Sequence, residues 1–246
     1  MPQVLDRLVK RCFRGIGLEV QRLKGANTEE AAMRHMLTTL QAATVLDIGA
    51  NQGQFAQTAR SLGYKGRIVS FEAVPAIHAI LTARARGDQD WVVAPCAALG
   101  AAEGEVEINV SANTWSSSVL PMGEVHLSAA PESKYVATQR VRMARLDGLS
   151  QGLVPEEGRM ILKIDTQGYE REVLAGATGL LDRIVGMQVE LSLVTLYQGA
   201  PRLSEMVSFL ESLDFELFNL APGFKDRRNG RLLQAEGFFV RKGVSL

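Results

Sequence analysis

Two segments constrain this 246-residue chain most: Val45-Leu46-Asp47-Ile48-Gly49-Ala50-Asn51-Gln52-Gly53 and Leu162-Lys163-Ile164-Asp165-Thr166-Gln167-Gly168-Tyr169-Glu170. Each is an apolar, β-type run that reaches an aspartate and then breaks at glycine. In an open α/β sheet, ligands bind in the crevice beyond the carboxyl ends of the strands. Two acidic strand ends followed by permissive backbone therefore read as two walls of one site.

The rest of the chain supplies the sheet. Strands are expected over Val45–Ile48, Arg67–Phe71, Trp91–Ala94, Met160–Ile164, Val185–Leu191 and Phe215–Asn219. Helices are expected between them: Phe55–Leu62, Pro75–Ala85 with proline in its first turn, Glu170–Leu181 interrupted near Gly176, and Leu203–Leu213. A further helix starts at Thr28 and presents Met33, Met36, Leu37 and Leu40 to the core. Such alternation implies parallel pairing with helices on both faces. Only a short, turn-rich connection joins Asn219 to the last strand, Gly237–Arg241, so an antiparallel final pair is expected. Between Trp91–Ala94 and Met160–Ile164 the pattern lapses. Glu103–Val110 and Tyr135–Ala144 read as strands around a serine- and turn-rich stretch, an insertion of about 109–145 that suits a cap or binding loop.

The first wall reads as a cofactor cradle. Gly49 and Gly53 flank Asn51, one of the few non-glycine residues that tolerates a left-handed backbone. The spacing is G-x-N-x-G rather than the G-x-G-x-x-G of dinucleotide sites, which disfavours a nicotinamide oxidoreductase. Asp47 would repel a pyrophosphate and suits a cationic group. Glu72, after Phe71 at the end of the second strand, suits ribose hydroxyls. A cofactor with an ammonium, a carboxylate and an adenosine ribose is S-adenosylmethionine. The alternatives are a helix cap for Asp47 and a surface carboxylate for Glu72.

The second wall carries the candidate chemistry. Asp165 would orient a hydroxyl, take its proton, or, with Glu190, hold a divalent metal such as Mg²⁺. A salt bridge from Glu190 to Lys163 or Arg183 is the competing reading, and Lys163 is expected to pair with Asp165. In the insertion, Trp115, Ser117, His126 and Tyr135 are candidate acceptor contacts, although His126 reads most simply as a solvent-exposed loop histidine.

These motifs together resemble the FkbM family of S-adenosylmethionine-dependent methyltransferases. The likeness runs from about Leu40 to Arg241, through V-L-D-I-G-A-N-Q-G-Q-F, F-E at Phe71-Glu72, and L-K-I-D-T-Q-G-Y-E-R-E-V-L-A-G-A from Leu162. It implies a class I, Rossmann-like methyltransferase fold: a doubly wound, mostly parallel seven-stranded sheet with an antiparallel last strand. It also implies O-methylation of a glycan, glycolipid or secondary-metabolite hydroxyl. Asp47, Gly49, Gly53 and Glu72 would then bind the cofactor, with Asp165 and Glu190 at the transfer site. Thr166-Gln167 stands where many relatives carry V-E, so no glutamate role transfers there. The competing functional reading is a non-catalytic cofactor-binding or scaffold protein that keeps the fold.

Composition narrows the partners. The 27 basic and 27 acidic side chains cancel, which leaves no global field for nucleic acid. Cys12 and Cys96 form no metal-type spacing. No apolar run approaches the roughly 20 residues that span a bilayer, so a cytoplasmic protein is expected. Residues 1–27 read as an amphipathic helix and connector preceding the methyltransferase domain at 28–246. Leu5, Leu8, Val9, Cys12, Phe13 and Ile16 would form its apolar face against Arg7, Lys10, Arg11 and Arg14. Such a helix suits docking on protein, with peripheral membrane contact as the minority alternative.

Overall fold

The computed structural model describes residues 9–16 and 28–244. Residues 9–14 are helical (α1), while Leu5, Arg7 and Leu8 of the expected N-terminal helix lie outside the described residues. None of the described helices is long and apolar enough to cross a membrane. Helix α2 (Glu29–Thr39) starts where Thr28 Oγ1 accepts from the Ala31 N–H at 3.2 Å, a side-chain N-cap.

The main sheet contains β1 (Thr44–Ile48), β2 (Arg67–Phe71), β3 (Trp91–Val93), β7 (Met160–Ile164), β8 (Ile184–Ser192), β9 (Phe215–Pro222) and β10 (Gln234–Arg241). Their order is β3-β2-β1-β7-β8-β10-β9. Strand β1 pairs in parallel with β2 and β7, and β7 with β8. Strand β10 runs antiparallel to both β8 and β9. The expected mostly parallel seven-stranded sheet with an antiparallel last strand is therefore present, and β10 lies inside the edge strand β9.

Side chains alternate across this sheet and feed two cores. Val45, Ile68, Ile161 and Phe238 pack with Met33, Ala56 and Leu81 of α2, α3 (Gln54–Ser61) and α4 (Pro75–Ala85). Leu46, Val69, Leu162 and Phe239 pack with Leu146, Leu174 and Leu210 of α6 (Leu146–Leu149), α7 (Glu170–Ala175) and α8 (Leu203–Ser212). Helix α7 stops at Gly176, where an added Cβ would strike the Gly100 carbonyl.

The insertion forms a second sheet, β4-β6-β5, from β4 (Ala98–Leu99), β5 (Gly104–Ser111) and β6 (Tyr135–Ala144). The stretch between β5 and β6 is less irregular than expected, since it contains α5 (Glu124–Ala129). Two side chains tie this insertion to the main sheet's motif loops. Ser118 Oγ donates to the Gln167 carbonyl at 2.8 Å, and Asn51 Nδ2 donates to the Thr114 carbonyl at 3.0 Å.

Gly49 sets the spacing of the two motif loops. It has φ +70°, and an added Cβ would fall on the carbonyl oxygen of Asp165. The glycine thus admits protein backbone rather than a ligand, and Gly53 (φ +91°) likewise makes room for the Trp91 ring. Gly49→Ala should cost on the order of 3 kcal/mol from left-handed strain plus overpacking. A drop of about 6–12 °C in Tm is expected for a chain this size; an unchanged melting curve would show that the two loops separate freely.

Candidate active site

The carboxyl ends of β1, β2 and β7 open onto a cavity of ≈ 400 Å³. Gly49, Asn51, Phe71, Glu72 and Asp165 line it, together with Trp115 and Ser117 of the insertion. Asn51 has φ +48°, the expected left-handed turn. Its N–H donates to Glu72 Oε2 at 2.9 Å, and the Val74 N–H donates to Glu72 Oε1 at 2.7 Å. Glu72 thus braces the β1 and β2 loops against each other while its carboxylate borders the cavity. Burial raises its pKa, and these backbone donors oppose the shift.

Asp47 lies beneath this surface. It is 0 % exposed and is not among the cavity's lining residues. Its Oδ2 accepts from Ser70 Oγ at 3.0 Å, and Ser70 Oγ accepts from Trp91 Nε1 at 2.9 Å. Its Oδ1 stands 3.5 Å from Lys163 Nζ. Gly53 also lies outside the lining, at the N-terminus of α3.

Lys163 accounts for this placement. Its ammonium sits between Asp47 and Asp165 Oδ2, the latter at 3.6 Å, and donates to the Gly49 carbonyl at 3.1 Å. The expected pairing with Asp165 is present, and Asp47 is a second partner. Burial disfavours the lysine charge, but Asp165 and Asp47 outweigh it and hold the pKa above its ordinary value. Burial raises Asp47, with Lys163 opposing.

Asp165 and Glu190 converge through a residue to which the sequence assigned no role. Gln167 Nε2 donates to Asp165 Oδ1 at 2.7 Å and to Glu190 Oε2 at 2.7 Å. Glu190 Oε2 also accepts from Gln234 Nε2 at 2.6 Å. Glu190 makes neither competing salt bridge: Lys163 pairs with Asp47 and Asp165, and Arg183 donates to the Pro155 and Gly158 carbonyls. Among the described residues, no three His, Cys, Asp or Glu side chains are placed to hold a metal ion. The proposed Asp165–Glu190 metal pair is therefore joined by an amide and gains no third such ligand.

A second cavity of ≈ 710 Å³ lies on the other side of this pair, and the two cavities share Trp115, Asp165 and Gln167 as wall. Trp115 is 60 % exposed. His126 lines the second cavity but is only 3 % exposed, on α5, which corrects its reading as a solvent-exposed loop residue. It packs against Tyr197 and Phe224 and bonds Ser133 Oγ at 3.2 Å. Burial lowers its pKa to about 4. Ser117 borders the first cavity, and its Oγ accepts from the Ser111 N–H at 3.1 Å. Tyr135 borders neither cavity and donates its hydroxyl to the Leu120 carbonyl at 2.8 Å.

Glu29 and Glu236 also border the first cavity and share the Gln188 amide, at 2.9 and 3.1 Å. Glu236 faces Glu190 in the strand register. Burial, then Asp165 and Glu29, push Glu236 up to about 8. Burial, then Asp165 and Glu236, raise Glu190 well above the carboxylate range. The folded state therefore keeps protons that the unfolded chain loses above about pH 4.5, and stability falls as pH rises toward 8. Glu236→Gln should raise Tm over the wild type at about pH 9 and lose that advantage near pH 4.5. Melting curves across this range check it; a constant difference would contradict the linkage.

Comparison with known proteins assigns the family. The family model described as the methyltransferase FkbM domain matches residues 47–217, from the first motif into β9. None of the curated proteins matches the sequence. Among solved structures, the chain is similar to a precorrin-6y C5,15-methyltransferase from Geobacter metallireducens GS-15. That likeness has 14% identity, covers 87% of each chain and has a TM-score of 0.47. It is also similar to a Streptococcus pneumoniae protein solved in complex with S-adenosyl-L-methionine, with 10% identity, 88% of this chain and 73% of that chain covered, and a TM-score of 0.48. With the family motifs spread over both walls of the site and the strand order that carries them, this chain is a methyltransferase of the FkbM family, built on the class I fold.

Proposed function

We propose that the chain moves a methyl group from S-adenosylmethionine to a hydroxyl of a glycan, glycolipid or secondary metabolite. The observation that carries this reading is the pair of cavities sharing Trp115, Asp165 and Gln167 as a common wall. Transfer between two bound molecules needs a donor chamber and an acceptor chamber that meet at the reacting atoms.

The first cavity fits the donor. Its ≈ 400 Å³ falls in the size range of small-molecule sites. Val74, Ala98, Leu99 and Ile108 give it an apolar flank for a flat base. Glu72 keeps unused lone pairs beyond its two backbone bonds, and these can accept from ribose hydroxyls. Asp165, Glu29 and Glu236 line it with acids, and a bound cation would favour ionisation of Glu236. When bound, S-adenosylmethionine supplies a methyl carbon activated by positive sulfur.

The chain's own residues supply position and a proton acceptor. Asp165 Oδ1 is committed to Gln167, and Oδ2 stands beside Lys163 Nζ. The acceptor's O–H proton passes to Asp165 Oδ2 as its oxygen bonds to the methyl carbon. The donor would supply the methyl carbon and keep the carbon–sulfur electron pair on its sulfur, and Asp165 would hold the acceptor's proton until it passes to water. Trp115 offers an exposed aromatic face at the junction, which suits the apolar face of a sugar ring.

Methyl-labelled S-adenosylmethionine, incubated with a panel of glycans and hydroxylated metabolites, tests this reading. An alkali-stable methyl ether is expected, and Asp165→Asn should lower its rate by about 10²–10⁴-fold. Label in an ester or amine, or undiminished transfer by Asp165→Asn, would contradict the assignment.

A further inference from the structure

We propose that Gln167 is a positioning residue that holds Asp165 and Glu190 as an ordered pair, one carboxylate oxygen of Asp165 committed to it and the other left for the acceptor's proton. This inference rests on the methyl-transfer reading above and concerns the residue that makes its chemistry possible.

The amide of Gln167 can sit only one way round. Its Nε2 faces two carboxylate oxygens, each at 2.7 Å, and its Oε1 accepts from the Tyr197 hydroxyl at 2.6 Å. Reversing the amide would set a carbonyl oxygen against both carboxylates and waste its donors on a hydroxyl. The backbone is fixed as firmly. Gln167 is 6 % exposed, has φ +57°, and its carbonyl accepts from Ser118 Oγ. Gly168 follows at φ +99°, where an added Cβ would press on Ala200. Glu170 Oε1 then closes the turn by accepting from the Thr166 and Gly168 N–H groups at 3.1 and 3.0 Å.

The consequence is an asymmetric pair. Glu190 Oε2 accepts two amide N–H bonds, from Gln167 and Gln234, which leaves Oε1 as the oxygen open to a proton. Asp165 receives one amide N–H on Oδ1 and has the Lys163 ammonium beside Oδ2. The Lys163 ammonium stands beside Asp165 at 3.6 Å, while Glu190 is crowded by Asp165, Glu236 and Glu170. A glutamate at 167 would add another carboxylate to this crowd. The neutral amide binds both acids without adding charge, and it does so on the wall the two cavities share.

The test compares Gln167→Met, which removes the amide, and Gln167→Glu with wild type. Three readings are taken: S-adenosylhomocysteine affinity by calorimetry, the Glu190 carboxyl titration by ¹³C NMR, and steady-state methyl transfer to the hydroxyl acceptor found with labelled donor. Donor-site affinity is the control for a general disturbance of the cavity that Gln167 helps to line. The Glu190 titration should move up by about one pH unit in Gln167→Met and further in Gln167→Glu. The kcat should fall by about tenfold or more, well beyond any accompanying change in donor affinity.

An altered Tm with an unmoved Glu190 titration and kcat within twofold would overturn the proposal and leave Gln167 a structural residue. Failure of wild type to bind S-adenosylhomocysteine would instead count against the methyl-transfer reading, and the NMR titration would still decide whether Gln167 orders the acids. If Gln167→Met does not fold, Tyr197→Phe removes only the hydroxyl that orients the amide. It should shift the Glu190 titration in the same direction by a smaller amount; no shift would again overturn the proposal.

Discussion

A lysine ammonium buried between two carboxylates organises the functional edge of this sheet. Lys163 stands opposite Asp47 in the β1–β7 register and reaches both that side chain and Asp165 beyond it. Buried charges are tolerated when paired and hydrogen-bonded, and removing one partner leaves the others uncompensated. Here a single cation pairs with one acid in β1 and another just past β7, and also binds the Gly49 carbonyl. It thereby ties the end of β1 to the end of β7. The bare contact between Gly49 and the Asp165 carbonyl is the steric side of the same constraint.

The insertion completes the site from above and is fastened to both motif loops. Asn51 reaches Thr114, Ser118 reaches Gln167, and Tyr197 bridges from beyond β8 to Gln167. The loop after β1, the Asp165–Gln167 turn and the insertion are therefore one hydrogen-bonded assembly. That construction holds groups in fixed relation, as a reaction that depends on alignment requires. Acid outnumbers base where the cavities meet, and burial with the neighbouring acids favours the protonated forms of Glu190 and Glu236.

Much of this was legible in the sequence because it is written in local pattern. The apolar runs ending at Asp47 and Asp165, the glycine breaks and the Pro75 helix start fix strands, turns and their order without tertiary information. Strand register was not legible, and it decides where a side chain goes. The expected strand Val45–Ile48 is present, but its register sets Asp47 opposite Lys163 in the buried interior and not on the crevice wall. Glu236 was overlooked because the last strand was read from Gly237, whereas it begins at Gln234. His126 looked like a loop residue because the rings that bury it, Tyr197 and Phe224, lie far away in the chain. Gln167 carried no sequence signal of its role, since an amide is informative only once it is seen between two carboxylates. The family resemblance, by contrast, rested on contiguous motifs and is matched by the FkbM domain over residues 47–217.

The proposed methyl transfer requires the cavity at the ends of β1, β2 and β7 to hold the donor, with Glu72 on its ribose side. Calorimetric titration of S-adenosylhomocysteine into wild type and Glu72→Ala, each verified as folded, tests it most directly. One-site micromolar binding by wild type, weakened about tenfold or more in Glu72→Ala, is the predicted result. Equal affinity in both proteins, or no binding by folded wild type, would contradict it.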